Sequence, residues 1–271
     1  MSALEHHMSK ITKALDRAKQ ERGTAAGEPQ KPPAAQTAPQ PKPEHVSYTQ
    51  TQVVEQPLTP MSAGRMLSHV DDPALADYYS MLRTQVLHQT RDKGHNIIMV
   101  TSVGKGEGKT LTAINLAISM AKESVQTALL VDTNLRDPKV AEYMGLKNDR
   151  GLSDHMLDDV PVHTLLINPG MKKLVVLPAG RPISGATEIL GSPKMRNLVK
   201  EMKAKYPERY VIFDCPHLLD MPDALVFSSF VDQVLLVVEA GKTTRRDIRR
   251  TMELLQGKSL LGIVMNKVPR D

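Results

Sequence analysis

The chain has 271 residues, 41% of them hydrophobic, with a formal net charge of +5; that length gives one good-sized core plus tails, or at most two small domains. Aromatic residues make up 3% with no Trp, which argues against a base-stacking platform and so against nucleic acid as a partner, while the mild positive excess permits contact with an anionic surface without demanding it. The single cysteine, Cys215, excludes a disulfide framework; the lack of an 18–20-residue apolar run or a signal-peptide core leads us to expect a cytoplasmic protein that meets the membrane only through a partner or a surface patch.

Residues 1–22 carry Leu4, Met8, Ile11, Leu15 and Ala18 at spacings of 4, 3, 4 and 3, the single apolar stripe of an amphipathic helix. The stripe either packs on its own domain or docks on a partner. Residues 23–60 hold eight prolines among many Gln, Ala and Thr. Such a composition buries too little apolar surface to offset chain entropy, so a flexible linker is expected.

From 61 to 271 apolar runs alternate with helical patterns. Strands are expected at 96–102, 127–132, 174–178, 210–214, 232–239 and 260–267. Helices are expected at 111–122, 193–205 and 244–256. Strands apolar on both faces and separated by helices predict an α/β fold with a mostly parallel central sheet, helices on both faces and a flexible N-terminal tail. Ligands of such a sheet bind at the carboxyl ends of its strands.

The first strand runs into Val103-Gly104-Lys105-Gly106-Glu107-Gly108-Lys109-Thr110, and a helix opens at Leu111. This is the setting of a P-loop NTPase phosphate loop. The glycines let backbone N–H groups turn inward, and the helix N-terminus favours anions. Lys109 would reach the β- and γ-phosphates of ATP, and the Thr110 hydroxyl would ligate Mg²⁺. The ATP-binding set is expected to be Gly104, Lys105, Gly106, Glu107, Gly108, Lys109, Thr110 and Leu111. Val103 stands where the usual first glycine would be.

Two further strands end in carboxylates, Asp132 and Asp214. Strand-end aspartates serve either as caps of turns and helices or as metal and nucleophile positioners. Beside a phosphate loop the second role is favoured, so Asp132 and Asp214 are expected, with Thr110, around magnesium. Lys109, Asp132 and Asp214 form the expected catalytic set. Near the C-terminus Arg245, Arg246, Arg249 and Arg250 crowd one helical turn, with Ile248, Met252, Leu254 and Leu255 expected on its buried side. The arginines are either a solvated face or a contact for acidic residues or anionic lipid.

Taken together, the segments 101–110, 129–138 (Asp132-Thr133-Asn134-Leu135-Arg136, against Asp-x-Asp-x-Arg), Gly151-Leu152-Ser153, 176–180, Glu188-Ile189-Leu190 and Asp214-Cys215-Pro216 resemble the bacterial tyrosine kinases of capsule and exopolysaccharide synthesis. These are relatives of the P-loop ATPases that position septa and chromosomes. The nearest subgroup lacks its own membrane segment. The resemblance implies a Mg-ATP-dependent tyrosine kinase or ATPase that works at the inner face of the plasma membrane beside a membrane polysaccharide co-polymerase that sets chain length. It implies homo-oligomerisation through residues 77–85, from Asp77 to Gln85, although Ser80 replaces that helix's first arginine. It places Asn266 where relatives can contact adenine; an ordinary strand-end turn former remains the alternative. Asn134 replaces the second aspartate of the pattern, which removes one negative charge near the metal. His217 replaces a proline and is expected to pack in a turn, and Cys215 to be an inert small hydrophobe. Lys105 stands one residue out of register with the extra lysine of the positioning ATPases. No tyrosine follows Tyr210, so phosphorylation of a tyrosine-rich C-terminal tail is not expected. That favours the second reading, an assembly ATPase switched by ATP without kinase activity.

Overall fold

The computed structural model describes residues 52–53, 72–146, 149–206 and 208–269, all within the unit Pro43–Asp271. The expected helix at 1–22 lies outside the described residues, as does the expected linker apart from Gln52 and Val53.

Eight strands form one sheet: β1 (Gln52–Val53), β2 (Ile97–Ser102), β3 (Thr127–Asp132), β4 (Ile167–Asn168), β5 (Leu174–Leu177), β6 (Arg209–Asp214), β7 (Gln233–Glu239) and β8 (Leu260–Asn266). Their order is β1-β4-β5-β3-β6-β2-β7-β8. All pairs are parallel except β4 with β5. The six expected strands are present, 127–132 with both ends as expected and the other five with one end shifted by a residue. Asn96 lies just before β2; its N–H and that of Ile97 both donate to the Asp232 side chain at 3.1 Å. β1 and β4, two residues each, were not expected; β1 falls inside the segment read as linker.

The helices are α1 (Pro73–Thr90), α2 (Lys109–Ala121), α3 (Val140–Met144), α4 (Leu152–Asp158), α5 (Ala186–Leu190), α6 (Pro193–Lys205), α7 (Pro222–Phe227) and α8 (Arg245–Leu254). β2 and β3 are buried along their whole length, so alternate side chains feed two cores, one on each face. One core gathers Ile98, Val100, Leu130 and Ile212 with Ile114, Ala117 and Ile118 of α2. The other gathers Met99, Val131, Val211 and Phe213 with Leu190, Leu198, Val199 and Phe227 from α5, α6 and α7. Helix α2 is buried nearly all round, as a helix between a sheet and a second helix must be. It starts two residues before the expected position because Gly108, at φ 96°, turns the loop straight into its first turn.

Helix α1 covers α2. Asp72 caps it by accepting the Leu75 N–H at 3.2 Å, with Pro73 in the first turn. Arg83, expected at an oligomer contact, donates to the Ser119 carbonyl at 2.8 Å within the chain. Tyr78 and Met81 face away, 65% and 60% exposed. Helix α8 corrects one expectation. Its inward side is Ile248, Thr251 and Leu255, while Met252 and Leu254 are exposed. Positions 248, 251 and 255 follow the helical repeat, and 252 and 254 fall on its flanks.

Candidate functional site

The parallel register brings the ends of β2, β3 and β6 together. Asp132 pairs with Asp214 across β3 and β6, and Val100 with Asp214 across β2 and β6. The loop after β2 passes over these ends. Gly106 and Gly108 sit at φ 84° and 96°, the left-handed region where a Cβ is strained. The Gly108 carbonyl accepts the Thr112 N–H at 2.9 Å and its hydroxyl at 3.0 Å, which fixes the first turn of α2.

Three expected site residues meet at one point. The Thr110 hydroxyl donates to Asp214 Oδ2 at 2.7 Å. Lys109 Nζ lies 3.0 Å from Thr110 Oγ1 and 3.5 Å from Asp214 Oδ1. Asp214 is fully buried, and its Oδ1 accepts no hydrogen bond. Asp132 is also fully buried but is engaged otherwise. Its Oδ1 accepts the Asn134 N–H at 3.0 Å; its Oδ2 accepts those of Lys139 and Val140 at 3.1 and 3.0 Å. Asp132 thus caps the turn into α3, and it is among the residues around a cavity of about 730 Å³ with Pro138, Ala141, Arg150 and Ala179.

Two buried carboxylates beside one ammonium leave surplus negative charge. Burial pushes Asp132 up to about 7, with the Asp214 charge adding to the effect. Burial also raises Asp214, against the opposing pull of Lys109 and Thr110. A hydroxyl and two carboxylates, one of which has an oxygen without a hydrogen bond, form a hard-oxygen set that fits Mg²⁺ bound together with phosphate oxygens. Among the described residues, no cluster of three or more His, Cys, Asp or Glu could hold a metal by itself.

The remaining expected residues divide. Glu107 is 3% exposed and folds over the loop: its carboxylate accepts the Gly104 N–H at 2.9 Å and the Thr243 hydroxyl at 2.6 Å. Asn266 Nδ2 donates to the Glu107 carbonyl at 2.8 Å. Lys105 is exposed and lies 3.6 Å from Asp137. Leu111 packs against the α2-side core. Arg245, Arg246, Arg249 and Arg250 are all exposed on α8. Cys215 is buried, and burial pushes its thiol far up, which makes it unreactive. His217 is half-buried, and burial pushes its imidazole down.

Sequence reasoning missed Thr243, Lys267 and Asp223. Asp223 takes Arg136 in a two-pronged ion pair, at 2.6 Å from Nε and 3.1 Å from Nη2. These partners lie 87 to 161 residues apart, so no local spacing signals them.

A glycine-turned loop between a buried parallel strand and a helix, with a lysine, a hydroxyl and two strand-end carboxylates beneath it, defines a P-loop NTPase. Residues 95–257, more than half of the chain, match the AAA domain family. Tyrosine-protein kinase YwqD of Bacillus subtilis is 33% identical over 193 residues, 70% of this chain and 80% of that protein. The chain belongs to the AAA domain family and, within it, to the tyrosine-protein kinases. Among solved structures, the kinase domain of the Escherichia coli tyrosine kinase ETK superposes with a TM-score of 0.67 at 27% identity, covering 74% of this chain and 81% of that one. The chimerical protein CapA2B2 gives a TM-score of 0.70 at 26% identity, covering 81% and 94%. Among the described residues no helix is long and apolar enough to cross a membrane.

Proposed function

We propose that this chain is a Mg-ATP-dependent protein-tyrosine kinase of exopolysaccharide or capsule biosynthesis. The observation that carries the proposal is the convergence of Lys109, Thr110 and Asp214 beneath the phosphate loop, with Asp132 on the neighbouring strand.

The loop N–H groups and the Lys109 ammonium bind the ATP phosphates and neutralise their charge. Thr110, Asp214 and Asp132 would hold Mg²⁺, which when bound would neutralise phosphate charge. A tyrosine hydroxyl oxygen forms a bond to the γ-phosphorus as the bond to the ADP oxygen breaks. The phenolic proton passes to Asp132 Oδ1, the oxygen that accepts a single N–H. In the metal-free protein burial raises the proton affinity of this carboxylate.

The resemblance to capsule and exopolysaccharide kinases supports a place at the inner face of the membrane, with a membrane co-polymerase as partner. Exposed Arg245, Arg246, Arg249 and Arg250 offer that partner, or anionic lipid, a cationic contact. Helix α1 supplies the proposed self-association surface over residues 77–85.

The test is mass spectrometry for phosphotyrosine, on the chain and on a synthetic Glu-Tyr copolymer, after incubation with Mg-ATP. Phosphotyrosine should appear with the natural chain and disappear with Lys109→Met. Release of inorganic phosphate with no phosphotyrosine on either acceptor would leave an assembly ATPase and remove the kinase.

A further inference from the structure

A trans peptide places the C=O of one residue and the N–H of the next on opposite sides of the chain. Whatever holds loop carbonyls outward therefore aims the following N–H groups inward. Two consecutive carbonyls of the phosphate loop are held in this way. Lys267 Nζ donates to the Gly106 carbonyl at 2.8 Å, and Asn266 Nδ2 to the Glu107 carbonyl at 2.8 Å. The N–H groups that follow them belong to Glu107 and Gly108.

A third tie closes the loop on itself. The Glu107 carboxylate bridges the Gly104 N–H and the Thr243 hydroxyl. Thr243 is itself fixed, because its Oγ1 accepts the Glu239 N–H at 2.8 Å. Glu239 Oε2 in turn holds the Lys267 ammonium at 3.0 Å. The ends of β7 and β8 thus grip the loop from one side through side chains that bond to one another.

The backbone at the end of β8 is shaped for this grip. Consecutive strand residues point to opposite faces, so Asn266 and Lys267 would not both reach one loop from a regular strand. Lys267 sits at φ 57°, a left-handed conformation that non-glycine residues seldom adopt. That breaks the alternation and turns both side chains to the loop. The fit against Gly108 is tight: a Cβ there would lie 2.0 Å from Asn266 Nδ2.

From this geometry we infer that Asn266 and Lys267 are positioning residues of the phosphate loop, aiming the Glu107 and Gly108 N–H groups at the phosphates of a bound nucleotide, with Thr243 locking the loop through Glu107. The inference rests on the nucleotide-binding reading above and deepens it. It assigns to Asn266 a part in phosphate binding in place of contact with the base.

The experiment is calorimetric titration of the full chain, in the presence of magnesium, with sodium tripolyphosphate, ATP and GTP. Tripolyphosphate has no base, so it reports the cradle alone. Asn266→Ala and Lys267→Met should weaken all three ligands by a common factor of roughly tenfold, the scale of one lost hydrogen bond to a charged ligand. If Asn266→Ala weakens ATP and leaves tripolyphosphate unchanged, Asn266 reads the base and the inference is overturned. Unchanged binding of all three overturns it as well. A second pair guards against variants that do not fold: Thr243→Ser, which keeps the hydroxyl, should bind tripolyphosphate normally, and Thr243→Val should not. Equal binding by the two removes Thr243 from the assignment. Failure of the natural chain itself to bind tripolyphosphate or ATP would instead remove the nucleotide-binding reading.

Discussion

Asp132 serves two ends that pull on its proton in opposite directions. Three backbone N–H groups favour its ionised form, while burial and the neighbouring charge of Asp214 disfavour it more strongly. The balance in the metal-free protein lies near pH 7 against an ordinary value of 3.8. Between those two values the folded chain keeps a proton that the unfolded chain has released, so this residue's stability contribution is complete below the lower value and lost as pH rises through the upper. Asp132→Asn loses cap geometry at every pH but escapes the cost of the charge. Its melting temperature relative to the natural chain should therefore be more favourable at pH 8 than at pH 5, and parallel curves at the two pH values would contradict the assignment. That Asp132 and Asp214 end strands was legible in the sequence, because each closes an apolar run. Capping was the alternative the sequence offered for both aspartates, and Asp132 takes it; its donors Lys139 and Val140 were not legible, because they reach the carboxylate only once the chain has folded back. Asn266 was legible as a strand end, placed by the resemblance at the adenine, but its bond to Glu107 spans 159 residues.

Between elements, the loop from β3 to α3 is tied to α7 by Arg136. Its guanidinium grips Asp223 with two bonds and donates to the Ser184 carbonyl at 2.8 Å. Thr187 of α5 also donates to Asp223. Asp223 is fully buried, and Arg136 is 36% exposed. Burial alone would raise the Asp223 carboxyl, but Arg136 and Thr187 hold it below its usual value. Its stabilisation is therefore present above the ordinary carboxylate pKa and lost as pH falls. Removing one partner of a fully buried pair costs about 3–5 kcal/mol. Water screens part of this pair, so Asp223→Ala should cost about 2–3 kcal/mol in urea unfolding; a loss within about 0.5 kcal/mol, the usual effect of a neutral surface change, would make the tie incidental. At this scale the sequence was readable wherever an element had a pattern to show. β2, β3, β6 and β7 each carry an unbroken apolar run of at least four residues, and α6 opens on Ser192 and Pro193, its cap and first turn. β1 and β4 have two residues each, too few to display any period.

Across the whole molecule, sheet order separates the site from β1. The phosphate loop, the carboxylates and the gripping side chains belong to the contiguous strands β3, β6, β2, β7 and β8, whereas β1 is the far edge strand, with β4 and β5 between it and β3. β1 contributes only the pairs Gln52 with Ile167 and Val53 with Asn168. A chain shortened to residues 61–271 loses β1 and everything before it, yet keeps every side chain that the site uses among the described residues. It should bind tripolyphosphate within about twofold of the full chain, a difference under about half a kcal/mol. Its unfolding should stay cooperative, because both cores survive intact. Its melting temperature should fall only slightly, as two backbone pairs at an edge are a small part of the sheet. Calorimetric titration and a thermal melt of the two chains side by side decide the matter. A tenfold or greater loss of affinity in the shortened chain would mean that residues 1–60 reach the phosphate loop, and the separation inferred from strand order would fail.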